Sequence, residues 1–435
     1  MDFESIQRLG LDYIKNIDLD KSEEIYNPTT NNHIILLRLL KDKNIICPHC
    51  GQIKSSVARN MKTQNFNYAS GLEDNITIIL KRRIYQCNCG KTFREKNPFV
   101  STKQKITIQK EYKVLDSLKD INKTYSSVAE EFNISTTSVM NIFDKKVNIP
   151  RGKFTDVLCV DEVYSKKFAH RKYCFITYSP QTDKILDVLN SRRKDNLLEY
   201  FLSIPIKERD TVKYFSMDLY DIYRQVAKKC FPKAKICADH FHVIKNLTDL
   251  FNKARIRIMK KYTHLKYENH TYYWLYKKYW KLLLKNPDKL KYKKFKVNRS
   301  GMYLDEHQIV NYMLSIDKDL KDGYELMVEY KNFNATATSD DVKIELDKLK
   351  VKFQNSNLPE LRKFYRIIKS WYQEIINSFD KINGHIISNG GLERTNRDVK
   401  TLIRNSYGLS NFNRTRNRIM YVKNKNESIR YTRKK

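Results

Sequence analysis

The sequence predicts a multidomain protein with a zinc ribbon, a helix-turn-helix and an α/β core that contains a helical insertion. Three observations predict this order: two cysteine pairs lie between positions 47 and 89, short amphipathic helices are expected over 107–145, and β-rich apolar segments alternate with helical patterns from 155 to about 240. The predicted domains are 1–100 for a helical lead-in and zinc ribbon, 101–150 for the helix-turn-helix, and 151–435 for the core, with the insertion at about 245–380.

The chain carries a large positive charge. Its 435 residues contain 83 Lys and Arg against 49 Asp and Glu, which gives a formal net charge of +34. Such an excess repels itself unless a polyanion neutralises it, and nucleic acid is the usual polyanion because each phosphate contact releases counterions. Coding bias, which would inflate Lys, is the alternative. The composition therefore favours a protein that binds nucleic acid.

The sequence contains no signal for a membrane or for export. No segment reaches the ~18–20 uninterrupted apolar residues of a membrane span. The N-terminal segment has acidic residues among its apolar ones and no signal-peptide core. We therefore expect a cytoplasmic protein without a membrane partner. In that reducing compartment the eight cysteines indicate metal ligands or buried thiols rather than disulfides.

Two closely spaced cysteine pairs predict a zinc site. They follow an expected helical lead-in over 1–30 and strands that begin at His33. The first pair lies on the tight turn CPHCG and the second, CNC, follows a strand-like segment, as in a tetrahedral four-thiolate ribbon. His49 could replace one thiolate, and reduced cysteines without metal are the other alternative. The predicted ligands are Cys47, Cys50, Cys87 and Cys89, whereas Cys159, Cys174, Cys230 and Cys237 lie in apolar segments that indicate core positions.

The last two of the three helices expected over 107–145 fit a helix-turn-helix. Asn133 lies where the turn needs a left-handed residue, which Asn tolerates, and Ser135 or Thr136 could cap the second helix. An ordinary helical hairpin is the alternative, since apolar spacing alone is common, but the turn residue and the basic Lys145-Lys146 favour DNA binding. The residues that this helix would present to a major groove are Thr137, Ser138 and Asn141.

The segment from 155 to about 240 predicts the α/β core. The strand candidates are VLCV (157–160), YCFITY (173–178), ILDVL (185–189), VKYF (212–215) and AKICA (234–238). Residues 241–380 have few strand signals, many Lys and Tyr, and helical spacing, which indicates a helical insertion. The tail from 385 to 422 is expected to be helical and is strongly basic.

Three carboxylates are candidates for a catalytic site. Asp161 and Asp218 each follow an apolar run, and a carboxylate just past a buried strand lies at the rim of the sheet, where α/β sites form. Glu162 would point to the other side if the strand continues. Glu393 begins a basic helix, and an acid backed by bases suits a site that holds metal on one side and phosphate on the other. The basic residues that share its helical face are Arg397 and Lys400.

Each carboxylate also has a structural interpretation. Asp161 and Asp218 could be turn or cap residues, and Glu393 could form surface ion pairs, but the three in this order favour a site. The segment Asp239-His240-Phe241-His242 closes the strand AKICA and has two interpretations that stay open. It could supply or orient a further cation ligand, or Asp239 could cap the helix that begins near His242.

Five motifs together resemble the ISL-three family of insertion-sequence transposases. They are CPHCG, YQCNCGKTF, VDE, ADHFHVIKNL and SNGGLERTN…IRNSYGLSNFNRTRNRI, and in this order they span nearly the whole chain. The short second cysteine pair is the one departure. The resemblance implies an RNase H-like core interrupted by a helical insertion. It also implies an acidic triad of Asp161, Asp218 and Glu393 that holds Mg²⁺ or Mn²⁺, beside Zn²⁺ at the four cysteines.

The resemblance implies a DNA transposase. Such an enzyme binds the terminal inverted repeats of an insertion sequence, cleaves at the ends and transfers the 3′ hydroxyls to target DNA by two-metal catalysis. The ribbon and helix-turn-helix would recognise the repeats, while the basic insertion and tail would contact phosphates. We expect a homodimer or larger complex on DNA, associated with the bacterial nucleoid and without a small-molecule substrate. A catalytically inactive DNA-binding regulator and a sequence-specific nuclease without strand transfer are the alternatives.

Overall fold

The chain folds into two compact units, one built on Met1–Ile149 and the other on Pro150–Lys400 together with the last helix. The computed structural model describes the chain apart from residues 10, 13, 30–31, 43, 54–57, 70–74, 100–105, 166–171, 264–269, 298–300, 383, 407–410 and 425–435. None of the described helices is long and apolar enough to cross a membrane.

A five-stranded sheet forms the first part of the N-terminal unit. Its strands follow helix α1 (Phe3–Arg8) and are β1 (Glu23–Asn27), β2 (Asn32–Arg38), β3 (Ala58–Ala69), β4 (Asn75–Gln86) and β5 (Thr92–Arg94). The spatial order is β1-β2-β4-β3, with β5 paired to β4, and β3 and β4 form an antiparallel hairpin. Ile76, Ile78 and Leu80 of β4 are buried because alternate side chains of a strand point to the same face.

The structure corrects the expectation of a helical lead-in over residues 1–30. Among the described residues of this range only Phe3–Arg8 is α-helical, and Glu23–Asn27 is a strand that pairs antiparallel with β2. Its acidic Glu24 is held by an ion pair with His33 across the two strands, 2.9 Å between Oε1 and Nδ1. Pairing with a neighbouring strand has therefore overridden the local helical pattern.

Three short helices complete the N-terminal unit. They are α2 (Ile108–Ser117), α3 (Tyr125–Glu131) and α4 (Thr136–Lys146). Asn133, between α3 and α4, has a φ of +47°, as the left-handed turn residue requires. Of the two predicted caps it is Ser135 that caps α4, because its side chain accepts from the amide of Ser138. Val128, Val139 and Phe143 form a buried apolar contact surface.

A mixed five-stranded sheet is the centre of the C-terminal unit. Its strands are β6 (Val157–Tyr164), β7 (Tyr173–Ser179), β8 (Lys184–Leu189), β9 (Tyr214–Met217) and β10 (Lys235–Ala238). The spatial order is β10-β9-β6-β7-β8; β6, β7 and β8 are antiparallel, whereas β9 runs parallel to β6 and β10 parallel to β9. All five predicted strand segments belong to this sheet.

Three helices connect the strands of this sheet. They are α5 (Lys194–Leu202) and α6 (Ile206–Arg209) between β8 and β9, and α7 (Asp221–Cys230) between β9 and β10. Leu197, Phe201 and Tyr223 of α5 and α7 are buried in the same core as Phe215 of β9. The parallel strands β9 and β10 are almost wholly apolar because helices cover the sheet.

The segment after β10 is largely helical, in agreement with its predicted spacing. Its helices are α8 (His240–Lys261), α9 (His270–Lys278), α10 (Trp280–Leu284), α11 (Glu306–Ile316), α12 (Lys318–Thr336), α13 (Val342–Gln354), α14 (Pro359–Ser370) and α15 (Tyr372–Asn377). Two small hairpins, β11 (Phe295–Lys296) with β12 (Tyr303–Leu304) and β13 (Lys381–Ile382) with β14 (His385–Ile386), interrupt the helices. Along α8, Leu247, Phe251 and Ala254 are buried at helical spacing.

Two basic helices, α16 (Gly390–Asn405) and α17 (Phe412–Lys423), follow the second hairpin. Helix α17 packs beside β8, where Asn424 exchanges two hydrogen bonds with the backbone of Ile185. Arg416 donates to the buried carboxylate of Asp187 at 2.6 Å. These contacts attach the C-terminal helix to the edge strand of the central sheet.

Candidate functional site

Three aspartates lie at the same level on three neighbouring parallel strands. In the parallel pairing Val157 lies opposite Tyr214, and the same register, continued along both strands, brings Asp161 level with Asp218. The pairing of β10 with β9 brings Asp239 level with Asp218, and the Asp239 amide donates to Met217 O at 2.9 Å. The carboxyl ends of these strands therefore form one acidic edge of the sheet, where α/β proteins place their sites.

Asp161 lies inside strand β6 and not beyond its end, which corrects the expected position. Strand β6 continues to Tyr164 because β7 pairs with it over its whole C-terminal half, whereas its pairing with β9 ends at Cys159. The adjacent strand thus ends one residue before the level of Asp161. The carboxylate of Asp161 therefore lies at the end of β9, although the backbone of Asp161 is still paired with β7.

Asp161 is held by two donors. Its Oδ1 accepts from the amide of Glu162 at 2.6 Å, and its Oδ2 accepts from the side-chain amide of Asn396 on α16. Burial, together with the negative charges of Glu162 and Asp239, raises the pKa of Asp161 to about 7.

Asp218 contacts a histidine. His242 Nε2, in the first turn of α8, lies 3.0 Å from Asp218 Oδ1. Burial is the largest cause that raises the pKa of Asp218 to about 9. The negative charges that add to this effect are those of Asp161, Glu162, Asp239 and Glu393. The edge of the sheet therefore concentrates more negative charge than its protein surroundings neutralise.

Asp239 does not cap helix α8. It occupies the N-cap position, yet its side chain makes no capping hydrogen bond. Instead Oδ1 accepts from the backbone amide of Asn389 at 3.0 Å, and Oδ2 has no hydrogen-bond partner in the part of the chain that the structure describes. Asp239 is only 2 % exposed. Of the two interpretations from sequence, the geometry is compatible with the ligand and not with the cap.

Glu393 comes to this edge from α16, where it lies in the first turn. Burial and the charge of Asp239 raise its pKa, while Arg397 opposes the rise. Its Oε1 is buried and without a partner among the described residues. The helix lies close to β7 because Gly391 has no side chain, and a Cβ at this position would collide with the hydroxyl of Tyr178.

Glu162 lies beside Asp161 in sequence but is held by different elements. Arg192 donates to its Oε1 and the hydroxyl of Tyr223, on α7, donates to its Oε2. Asp161 contacts α16 instead. The alternation of side chains along β6 accounts for this separation, because neighbouring residues of a strand point to opposite faces.

Basic side chains surround the acidic edge. Arg397 and Lys400 are exposed on α16, and Lys245 is exposed on α8. Their charges act on the carboxylates: Lys400 lowers the pKa of Asp161, and Arg397 and Lys245 lower that of Glu393, although burial outweighs them in both cases.

Three residues that contact the carboxylates, His242, Asn389 and Asn396, were not among the individual candidates from sequence. His242 ends the segment 239–242 that was considered as a source of a further ligand, whereas the two asparagines were noted only as part of the motif SNGGLERTN. The signal for His242 is its position three residues after Asp239, which puts both on one turn of a helix. The signal for the two asparagines is weaker, because their role depends on contacts with distant strands.

The four predicted cysteine ligands converge in the N-terminal unit. The Sγ atoms of Cys47 and Cys89 are 3.9 Å apart and those of Cys50 and Cys87 are 3.6 Å apart. All four sulfurs lie within 4.8 Å of one another. A tetrahedral zinc ion with Zn–S bonds of ~2.3 Å would separate its sulfurs by ~3.8 Å, so the spacing fits such an ion.

Each of the two cysteine turns is followed by a glycine in the left-handed region. Gly51 and Gly90, one residue after each pair, have φ values of +71° and +81°, which favour glycine. Burial disfavours the Cys47 thiolate, but amide donors such as that of His49 lower the pKa of Cys47 to about 7. The contact of His49 with the cluster is made by its backbone amide, 3.4 Å from the Cys47 sulfur.

The residues proposed for a DNA groove lie on α4. Thr137 and Asn141 are exposed on one face of this helix, four residues apart. Ser138 is half-buried, and its hydroxyl shares a hydrogen bond of 2.8 Å with that of Ser135. Two of the three side chains are therefore accessible, and the third takes part in the helix cap.

Comparison with known proteins identifies one family. The model of the ISL-three family, described as "Transposase", matches residues 158–419. The match begins in β6 and ends in α17, so it covers more than half of the chain and includes the four carboxylates of the acidic edge. A search of curated proteins found no match.

Proposed function

The chain belongs to the ISL-three family of transposases, and from this premise we propose that it is a metal-dependent DNA transposase. It would bind the terminal inverted repeats of an insertion sequence, cleave DNA at the element ends and transfer the 3′ hydroxyls to target DNA. The observation that carries the proposal is the acidic edge, where Asp161, Asp218 and Asp239 lie level on parallel strands and Glu393 joins them from α16.

The topology of the central sheet supports an RNase H-like core. Three antiparallel strands are followed by two parallel strands on the other side of β6, with the order β10-β9-β6-β7-β8. The helices α8–α15 lie between β10 and α16 in sequence. We interpret them as an insertion, because they separate Glu393 from the two aspartates without interrupting the sheet.

Divalent cations fit this site. Asp218 Oδ1 and Glu393 Oε1 are buried without hydrogen-bond partners in the described part of the chain, and carboxylate oxygens are the ligands that Mg²⁺ and Mn²⁺ take. We assign Asp161, Asp218 and Glu393 as the triad that holds them. When bound, such ions would stabilise the charges on the attacking and leaving oxygens of the phosphodiester.

The neighbouring side chains have supporting roles in this proposal. Asn396 orients Asp161 through its amide donor, and Asp239 adds a further carboxylate that the Asn389 amide orients. Arg397 and Lys400, exposed on α16, would contact the DNA phosphates beside the carboxylates. Negative and positive groups would then face the metal and the DNA backbone, respectively.

The N-terminal unit would recognise the element ends. Zn²⁺ at the four cysteines would fix the two turns around the β3–β4 hairpin, and α3 and α4 would act as a helix-turn-helix. Thr137 and Asn141 would face the major groove, with Ser138 at the cap. Since two ends must be cut together, we propose a homodimer or larger complex on DNA.

Cleavage of an end-labelled DNA fragment in Mg²⁺ tests the proposal. Asp161→Asn, Asp218→Asn and Glu393→Gln each remove one charge at nearly constant shape, so each should lower the cleavage rate by roughly 10³-fold. Binding to the element end, followed by gel shift, should stay within about twofold because no DNA contact is removed. A double variant should resemble a single one, since a site without one ligand already fails.

Glu162→Gln is the matched control. Its carboxylate is held by Arg192 at one oxygen and by Tyr223 at the other, and an amide keeps one of these two acceptor oxygens. We expect cleavage within about threefold of wild type. A loss equal to that of Asp161→Asn would mean that both acids belong to the site, and cleavage by Glu393→Gln would move the third ligand elsewhere.

Two other outcomes identify the alternatives. Cleaved ends that are never joined to a supercoiled target would indicate a sequence-specific nuclease. Binding to the ends without any cleavage by the wild-type chain would indicate a catalytically inactive regulator.

A further inference from the structure

A second group of possible metal ligands lies at the acidic edge, and it includes a histidine. The carboxylate oxygens of Asp218 and Asp239 and a ring nitrogen of His242 all lie within 4.8 Å of one another. These residues come from the ends of β9 and β10 and from the first turn of α8. Asp161 and Glu393, the other two members of the proposed triad, are outside this group.

Two carboxylate oxygens of this group are buried without hydrogen-bond partners among the described residues. Asp239 is 2 % exposed and its Oδ2 has no hydrogen-bond partner among the described residues. Asp218 Oδ1 also has none, although His242 Nε2 is 3.0 Å away, so this contact lacks hydrogen-bond geometry. Buried polar atoms without partners are costly, and a cation bound by these two oxygens and the nearby His242 nitrogen would offset that cost.

The spacing and the support of the ligands fit a metal ion. Two ligands at ~2.1 Å from one ion and at right angles to each other are ~3.0 Å apart, the distance between His242 Nε2 and Asp218 Oδ1. The other oxygen of Asp239 is fixed by the Asn389 amide at 3.0 Å. A carboxylate with one oxygen anchored and one free is typical of an oriented metal ligand.

The neighbouring histidine shows that this arrangement is specific to His242. His240, two residues earlier on α8, has both ring nitrogens engaged, with Asn334 Oδ1 at 2.7 Å and the Ser378 carbonyl at 3.0 Å. His240 therefore stabilises the packing of α8 against the following helices. Of the two histidines in His-Phe-His, His242 is the one that faces the carboxylates.

We propose that Asp218, Asp239 and His242 form a binding site for a first-row transition metal ion of the Mn²⁺ class, which is occupied before DNA binds. The inference rests on the proposed function only through Asp218, which the site shares with the catalytic triad. The imidazole nitrogen of His242 suits first-row transition metals and the two carboxylates suit Mn²⁺, whereas Mg²⁺ is bound mainly through carboxylate and water oxygens. His242 would thus set the cation preference of one of the two metal positions.

Titration of the DNA-free, zinc-loaded full-length chain with Mn²⁺ tests this site. Electron paramagnetic resonance measures free Mn²⁺, and the wild type should bind about one ion per chain in the absence of DNA. Asp239→Asn and His242→Gln should each weaken this binding by about tenfold or more. The affinity for Mg²⁺, measured by its competition with Mn²⁺, should fall much less in His242→Gln than the affinity for Mn²⁺. The reason is that the amide offers an oxygen ligand in place of the nitrogen.

His240→Gln is the matched control and should bind Mn²⁺ like the wild type. A readout that needs no variant is the electron spin echo of bound Mn²⁺, which should show the coupling of one imidazole ¹⁴N nucleus. Unchanged Mn²⁺ affinity in His242→Gln, or bound Mn²⁺ without nitrogen coupling, would overturn the inference. Mn²⁺ binding through His242 in a protein that does not cleave DNA would uphold the site while refuting the proposed function.

Discussion

At the scale of single residues, the acidic edge brings several buried carboxyl groups close together, which raises the pKa values of Asp161, Asp218 and Glu393. Asp218 is the most affected side chain, because it is buried and the charges of its neighbours add to that burial. His242 lies beside it without a hydrogen bond, and Asn396 donates to Asp161. A site of this kind is stabilised by the ligand that it is built to hold.

Replacing the ionisable carboxyl group of Asp218 by an amide should stabilise the protein when no divalent cation is added. The folded pKa of about 9 lies above the ordinary 3.8, so the native protein holds a proton that the unfolded chain releases. The stability from this proton is present below the unfolded pKa and is lost as the pH rises toward 9. Asp218→Asn should therefore raise the melting temperature at pH 8 by about 2–6 °C, or roughly 1–2 kcal/mol, and much less at pH 5.

The tryptophan fluorescence of the chain makes this measurement specific. Trp274, Trp280 and Trp371 all belong to the C-terminal unit, so their emission follows the unfolding of the unit that contains Asp218. Zinc stays in the protein, and only Mg²⁺ and Mn²⁺ are left out of the buffer. An equal effect of the substitution at both pH values would show that the gain does not come from this carboxylate.

At the scale of secondary-structure elements, α16 brings several groups of the site together. Glu393 lies in its first turn and Asn396 three residues later, while Leu392 and Val399 are buried on its apolar face. Because residues three and four apart share a helical face, one helix delivers both a carboxylate and the amide that orients Asp161. The position of the helix relative to the sheet is therefore as important as its residues.

Gly391→Ala should displace this helix. A methyl group at Gly391 would collide with the hydroxyl of Tyr178, which is fixed by a hydrogen bond of 2.5 Å to Asp183. We expect a loss of about 1–3 kcal/mol in the unfolding free energy of the C-terminal unit. The cleavage rate should fall by roughly tenfold or more, because Glu393 moves with the helix.

Gly390→Ala is the control for this prediction. At Gly390 the nearest atom to a new methyl group is Ser388 Oγ at 3.6 Å, which is an ordinary contact. This variant should keep stability and cleavage close to those of the wild type. If both substitutions behave alike, the close approach of α16 to β7 does not determine the position of Glu393.

At the scale of the whole molecule, the thiol cluster and the carboxylates of the acidic edge belong to separate units. The N-terminal unit contains the thiol cluster and the exposed face of α4, and the C-terminal unit contains the acidic edge. The net charge of +34 belongs to the chain as a whole and gives affinity for any polyanion. Sequence preference should therefore depend on the first unit, whereas general affinity should not.

Cys50→Ser should separate these two contributions. The variant should lose its zinc, measured by elemental analysis, and with it the preference for the element ends over competitor DNA. Its general DNA affinity should remain and should fall steeply, by roughly 10³-fold for six to ten phosphate contacts, between 50 and 200 mM salt. A variant that keeps its end preference without zinc, or a flat salt dependence, would contradict this division.

The sequence by itself determined the local features and the family. Apolar β-rich runs that alternate with helical patterns predicted all five strands of the central sheet, and the expected α/β class and transposase family are confirmed. The four ribbon cysteines were identified from their pairs, and they converge. Asn133 was predicted as the turn residue, and Ser135 was one of the two predicted caps. These features depend on neighbours within a few residues, which the order of amino acids specifies directly.

Only the tertiary structure decided how these local pieces meet. The order β10-β9-β6 and its register place three aspartates at one level, and no local pattern specifies which strands are neighbours. The same long-range pairing turned Glu23–Asn27 into a strand and kept Asp161 inside β6. It also selected His242 and Asn396, whose contacts with Asp218 and Asp161 cross from helices to strands. The physical reason is that strand pairing and burial are decided by contacts far apart in sequence, and local propensity yields to them.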